Sequence, residues 1–190
     1  MSPQMNFIYK ARNELPLYMQ NKHIHYAYGN TSFGTYFCVF ENHNIIHLIF
    51  IDENNLKKTI ENYSIKYRSA LSFHSAEATH IFDKDLNIID EKAHFILFGT
   101  PFQIKVWQSL LLVPFGSQIS YSQLAINANL PKSCRAVANA IGANPIAYFI
   151  PCHRILRKDG GIGGYRWGIE RKKIMLSYEN IKMPSSFCTM

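Results

Sequence analysis

The segment Pro145-Ile146-Ala147-Tyr148-Phe149-Ile150-Pro151 constrains this chain more than any other. It is mostly apolar and, lying between two prolines, too short for a helix, so it reads as a buried extended segment. Pro151 has no backbone N–H to give to a ladder and marks where regular pairing stops. Cys152, His153 and Arg154 follow at once, so a thiol and an imidazole leave a rigid, buried support. A thiol attacks as its thiolate, and a neighbouring base or cation can lower its pKa from about 8.5 to roughly 3.5–7.5. Adjacency does not establish contact, because nucleophile and base must meet in space. Taken alone, such a pair is more often an inert buried thiol beside a surface imidazole.

Charge adds a second constraint. Residues 1–95 hold nine Lys/Arg against ten Asp/Glu, a net of −1, whereas residues 96–190 hold eleven against three, a net of +8. The excess positive charge therefore lies in the half that carries Cys152, which suits a polyanion, nucleic acid first and membrane surface second. A solvated basic face is the alternative. The four cysteines, at 38, 134, 152 and 188, show no metal-finger spacing and point to reduced thiols. No segment resembles a signal peptide or a membrane span, so a cytoplasmic protein is expected, nucleoid-associated or, in a eukaryote, nuclear.

Along the chain, residues 1–20 read as loose or peripheral. Strand-like runs at Ile24–Tyr28, Thr35–Phe40 and Ile45–Ile51 are separated by short turns and predict an antiparallel meander. Helices are expected over 53–66 (Leu56, Ile60, Tyr63) and within 75–91, with a linker around Asp83–His94. This divides the chain into domains 1–94 and 95–190. His23, His25, His43 and His47 lack a carboxylate or cysteine at ligand spacing, so no metal and no cofactor is expected.

From Gly99 the pattern is helical. Thr100 can cap a helix from Pro101 with Phe102, Val106, Leu110 and Val113 as its apolar stripe. Ser120 and Gln123 fit a capping box for a short helix to about Ala128. A second helix is expected from Pro131 to Ile141, with Cys134, Val137, Ala138 and Ile141 inward and Lys132, Arg135 and Asn139 outward. Two short helices joined by a tight turn, the second with a basic outer face, read as a helix-turn-helix, with an ordinary helical hairpin as the alternative. Ala136, Ala140 and Gly142 beside Arg135 would allow close backbone approach. Asp159-Gly160 opens a glycine-rich loop that carries Tyr165 and Arg166, and a last helix over about Ile169–Met183 is expected to turn Ile174, Tyr178 and Ile181 inward.

Three motifs in order, Ser120-Tyr121…Pro131-Lys132…Arg135-Ala136-Val137, Pro151-Cys152-His153-Arg154 and Gly164-Tyr165-Arg166-Trp167-Gly168, resemble the O6-alkylguanine-DNA alkyltransferases over roughly residues 99–180. Residues 24–91 resemble, more weakly, the N-terminal domain of the Ada-type bacterial members. The resemblance implies an α+β fold: a small antiparallel sheet with flanking helices, ribonuclease H-like, followed by a mainly helical domain with a winged-helix-like helix-turn-helix. It further implies a stand-alone, monomeric repair protein acting on double-stranded DNA that carries O6-alkylguanine, and on O4-alkylthymine, with one alkyl transfer per molecule.

By resemblance Cys152 is the nucleophile, His153 takes its proton through one water, Glu179 orients the imidazole, Asn144 braces the loop, and Tyr165 donates to O6 as guanine leaves. Arg135 would enter the base stack and Tyr121 would crowd the phosphate, with Lys132, Ala136, Asn139, Arg154 and Arg166 also against DNA. Ile155, Gly164, Tyr165 and Arg166 would line the pocket. Gly163 stands where the family often has serine, Cys134 where alanine is common, and Arg166 follows the bacterial pattern. A lesion-binding or regulatory helix-turn-helix protein leaves the Cys-His-Arg cluster unexplained, and a cysteine hydrolase leaves the basic half unexplained.

Overall fold

A computed structural model describes residues 5–20, 22–67, 72–73, 82, 86, 90 and 92–181. The expected helix within 75–91 and most of the expected linker lie outside the described residues. The chain divides into two compact units, Met1–Thr100 and Pro101–Met190.

In the first unit the expected meander forms from β2 (His25–Thr31), β3 (Gly34–Glu41) and β4 (Asn44–Phe50), all antiparallel neighbours. Their β-branched and aromatic residues suit a pleated, half-buried surface. Asn42 takes a left-handed φ of 51° in the turn between β3 and β4, a conformation that asparagine tolerates. The whole sheet is mixed rather than antiparallel, in the order β1-β6-β4-β3-β2-β5. Here β1 is Asn6–Ala11, β5 is Ser72–Phe73 and β6 is His94–Gly99, and β6 runs parallel to both β1 and β4. Residues 6–11, expected to be loose, are therefore an edge strand. Parallel pairing needs long crossovers, and no local turn signal announces it. Because β6 pairs within this sheet, the boundary falls after Thr100 rather than at 94/95.

α1 (Leu15–Met19) and α2 (Leu56–Tyr67) cover one face, where Met19 and Tyr67 pack with Ile24, Phe37, Val39 and Ile46. His43, in the turn before β4, pairs with Asp90 at 2.6 Å, His47 packs on the Tyr63 and Tyr67 rings, and His25 Nδ1 lies 2.8 Å from Ser72 Oγ.

In the second unit α3 (Pro101–Leu111) buries Val106, Trp107 and Leu110. Trp107 Nε1 donates to the Ala140 carbonyl at 2.9 Å. α4 (Tyr121–Asn127) is capped by Ser120, whose hydroxyl accepts from Gln123 N at 3.1 Å; the Gln123 amide turns instead to Asn127, so only half of the capping box forms. α5 (Cys134–Gly142) starts later than expected, because Pro131 to Ser133 complete the turn through Ser133 N to Leu130 O. That start leaves Cys134 exposed rather than inward, and Ala140 buried rather than outward. A short parallel pair, β7 (Ile119–Ser120) with β8 (Ile155–Leu156), ties the start of α4 to the residues just after Cys152. α6 (Ile169–Tyr178) turns Lys172, Met175 and Leu176 inward; of the residues expected to face in, Ile181 is buried beyond its end, whereas Ile174 and Tyr178 are 48% and 47% exposed.

Candidate active site

The segment before Cys152 is buried, as its composition requires, but it is not extended. Ile146, Ala147 and Ile150 are fully buried, Tyr148 takes φ 66°, and the chain coils through Phe149 N to Ala147 O and Ile150 N to Ile146 O. Ile146 forms only an isolated bridge, so turns and side chains satisfy most of this backbone. Asn144, fully buried, supplies much of this. Its amide donates to the Ile150 carbonyl at 3.0 Å and to Cys152 Sγ at 3.2 Å, and its carbonyl accepts from Ile146 N at 2.9 Å. Cys152, His153 and Arg154 then form a single 3₁₀ turn.

Burial pushes the Cys152 thiol up to about 11, against the opposing pull of the Asn144 hydrogen bond and the Lys172 charge. At neutral pH the resting group is a thiol, and its proton needs an acceptor. His153 lies next to it with Nε2 2.7 Å from Glu179 Oε1, both side chains inaccessible to solvent. Burial works against the Glu179 charge, yet bonds from His153 and Arg154 hold its carboxyl down to about 2. Burial also lowers His153 below its usual range, outweighing the carboxylate. A neutral imidazole beside an ionised carboxylate carries its proton on Nε2 and leaves Nδ1 with a lone pair. His153 Nδ1 is buried and has no hydrogen-bond partner among the described residues.

Arg154 was expected at the DNA surface. Instead its guanidinium bonds Glu179 at 2.9–3.1 Å and the Val113 carbonyl at 2.6 Å. It neutralises the carboxylate that orients His153.

A cavity of about 640 Å³ opens at Cys152, lined by Tyr121, Arg135, Gly163, Gly164, Tyr165 and Arg166 among others. Six of the expected residues thus meet there: Cys152, Tyr121, Arg135, Gly164, Tyr165 and Arg166. The Tyr165 hydroxyl reaches Met175 Sδ at 3.4 Å, and burial, with the Cys152 sulfur nearby, raises it well above the usual phenol range. Arg166 reaches the Gly142 and Asn144 carbonyls at 3.4–3.5 Å. Ile155 is not on the wall: it is fully buried and pairs with Ile119. Lys132, Ala136 and Asn139 lie exposed outside the cavity lining.

Two contributors escaped the sequence reading. Arg157 lines the cavity from the base of the glycine-rich loop, and only the basic pair Arg157-Lys158 could have signalled it. Lys172, 0% exposed, donates to the Ile155, Ile162 and Gly164 carbonyls at 2.6, 2.7 and 3.4 Å. Burial lowers it to about 8, and the Cys152 sulfur pulls the other way. It joins the strand after Cys152 to the loop that forms the cavity wall.

Residues 101–181 match the family described as 6-O-methylguanine DNA methyltransferase, DNA binding domain. A probable methylated-DNA--protein-cysteine methyltransferase of Acanthamoeba polyphaga mimivirus is 40% identical over 135 residues, covering 71% of this chain and 81% of that protein. The chain belongs to the methylated-DNA--protein-cysteine methyltransferase family. Other relatives match over a much smaller share of their own length. The regulatory protein ada of Salmonella typhimurium is 52% identical over 81 residues, which are 43% of this chain and 23% of that protein. The fold is similar to that of Mycobacterium tuberculosis OGT in its crystal structure with DNA, with TM-score 0.61 and 26% identity over 82% of this methyltransferase-family chain and 92% of the other.

Proposed function

We propose that this chain repairs double-stranded DNA by taking the alkyl group of O6-alkylguanine onto Cys152 Sγ, once per molecule. The observation that carries the reading is Cys152 at the cavity beside a buried His153 whose Nε2 is held by Glu179 and whose Nδ1 is unpartnered. The Cys152 proton passes to Nδ1 through one water. The thiolate then attacks the alkyl carbon, an S–C bond forms, the C–O6 bond breaks, and its electron pair leaves on the guanine. Tyr165 donates a hydrogen bond to that oxygen as charge develops. Once the sulfur is held in a thioether it no longer forms a thiolate, and the step supplies no acceptor to take the alkyl group off again, so the transfer occurs once. O4-alkylthymine presents the same reacting group and is a second substrate.

A base must leave the helix to reach the cavity, and flipping costs a few kcal/mol, least where pairing is already damaged. The tight α4–α5 pair serves as a DNA-binding helix-turn-helix of winged-helix type, with exposed Arg135 replacing the flipped base. Tyr121 crowds the adjacent phosphate, while Lys132, Ala136, Asn139 and Arg166 meet the duplex. Exposed Ala136 and Gly142 suit the narrow minor groove, and such binding is salt-dependent with little sequence preference. The first unit is read as ribonuclease H-like. The protein acts as a monomer where DNA is found, in the cytoplasm of a bacterium or the nucleus of a eukaryote. Among the described residues, no helix is long and apolar enough to cross a membrane.

Intact and peptide mass spectrometry after mixing with a duplex containing one O6-methylguanine tests this. One methyl on the Cys152 peptide with an equimolar loss of the lesion supports transfer. Binding without any mass change would leave a lesion-binding module.

A further inference from the structure

The loop after β8 closes on Arg157. Arg157 N donates to Gly161 O at 2.8 Å, Gly160 N donates to Arg157 O at 3.1 Å, and Asp159 Oδ1 accepts from Gly161 N at 2.9 Å. This fixes where the Arg157 stem leaves the backbone. A Cβ built on Gly161 would meet Arg157 Cδ at 3.3 Å, and one built on Gly163 would meet Tyr121 Oη at 3.1 Å and Arg157 Cγ at 3.7 Å. Gly163, at φ +69°, is therefore flanked by the Tyr121 ring and the Arg157 stem on the cavity wall.

The acid nearest to it on this loop, Asp159, turns Oδ1 to Gly161 N and forms no ion pair with Arg157. The exposed Arg157 guanidinium makes no hydrogen bond or ion pair among the described residues. A planar cation with open donors, anchored at the rim of a cavity beside a phenol, matches an anion with paired oxygens.

We propose that Arg157 is a phosphate-binding residue, holding the backbone phosphate of the nucleotide that enters the cavity, across Gly163 from Tyr121. The assignment rests on the DNA reading above and adds a contact on the loop side of the cavity. One phosphate contact contributes about 0.9 to the exponent on salt concentration, so its loss at 0.1 M should weaken binding roughly eightfold.

The test compares wild type, Arg157→Gln and Arg157→Lys. Binding to an undamaged duplex is titrated from 0.05 to 0.5 M salt, and methyl transfer is timed on an O6-methylguanine duplex and on the free O6-methylguanine base. Support would be a salt exponent lower by about 0.9 for Arg157→Gln, recovery by Arg157→Lys, and a rate loss several-fold larger on the duplex than on the free base. An unchanged exponent, or equal rate losses on duplex and free base, would overturn the assignment. A wild type that binds duplex but transfers nothing would instead sink the repair reading, and the salt exponents would still decide Arg157.

Discussion

His153 Nε2 and Glu179 Oε1 lie 2.7 Å apart with neither side chain reached by solvent, although 26 residues separate them. The carboxylate thereby chooses the imidazole tautomer and leaves Nδ1 to accept a proton. Glu179→Gln keeps the shape but offers an amide in place of an acceptor-only carboxylate. Methyl transfer should fall by roughly 10²–10⁴-fold, measured as single-turnover loss of O6-methylguanine from a duplex. A rate within fivefold of wild type would remove Glu179 from the mechanism.

The same pair predicts the acid limb of stability. Glu179 is held at about 2 against an ordinary 4.5, so the unfolded chain binds more protons than the folded one in that window. His153, also lowered from its ordinary 6.5, acts in the same direction. Stability is fully present above about pH 6.5 and is lost as pH falls, His153 first and Glu179 from about 4.5 towards 2. Glu179 alone accounts for roughly 3 kcal/mol. Urea midpoints between pH 7 and 3 should drop steeply in wild type and less in Glu179→Gln.

Asn144→Ala removes a buried amide that serves Ile150 O, Ile146 N and Cys152 Sγ together. Two backbone groups lose their partner, costing about 2–4 kcal/mol in a denaturant titration. The thiol also loses a hydrogen bond that lowers it, so its alkylation by iodoacetamide should shift to higher pH.

Lys172→Met leaves the Ile155, Ile162 and Gly164 carbonyls without their donor. A loss of about 3 kcal/mol is expected from the unpaired carbonyls. Removing the positive charge that opposes the rise of the Cys152 thiol should shift the iodoacetamide pH profile upward. An unmoved profile would leave Lys172 a purely structural clasp.

Arg154 and Arg135 separate two roles. Arg154→Ala breaks a buried pair with Glu179 and should cost about 3 kcal/mol of stability while leaving the salt exponent of duplex binding unchanged. Arg135→Ala should leave stability within about 0.5 kcal/mol but slow transfer from duplex DNA far more than from the free base.

The sequence by itself determined the meander, the two short helices around Asn129 (φ 53°), the cap at Ser120, and the Cys-His pair in a buried setting. Each depends on residues within one turn or one strand, where pattern and propensity act locally. Tertiary structure alone decided that β6 joins the first unit's sheet in parallel, that residues 6–11 form an edge strand, and that the run before Cys152 coils instead of extending. It also took Arg154 from the surface to Glu179 and drew Lys172 into the core. A charged side chain reads as solvent-facing until a partner distant in sequence meets its hydrogen bonds, and Glu179, Val113 and the loop carbonyls are such partners. Only the folded chain brings them within hydrogen-bonding distance, 2.6–3.4 Å.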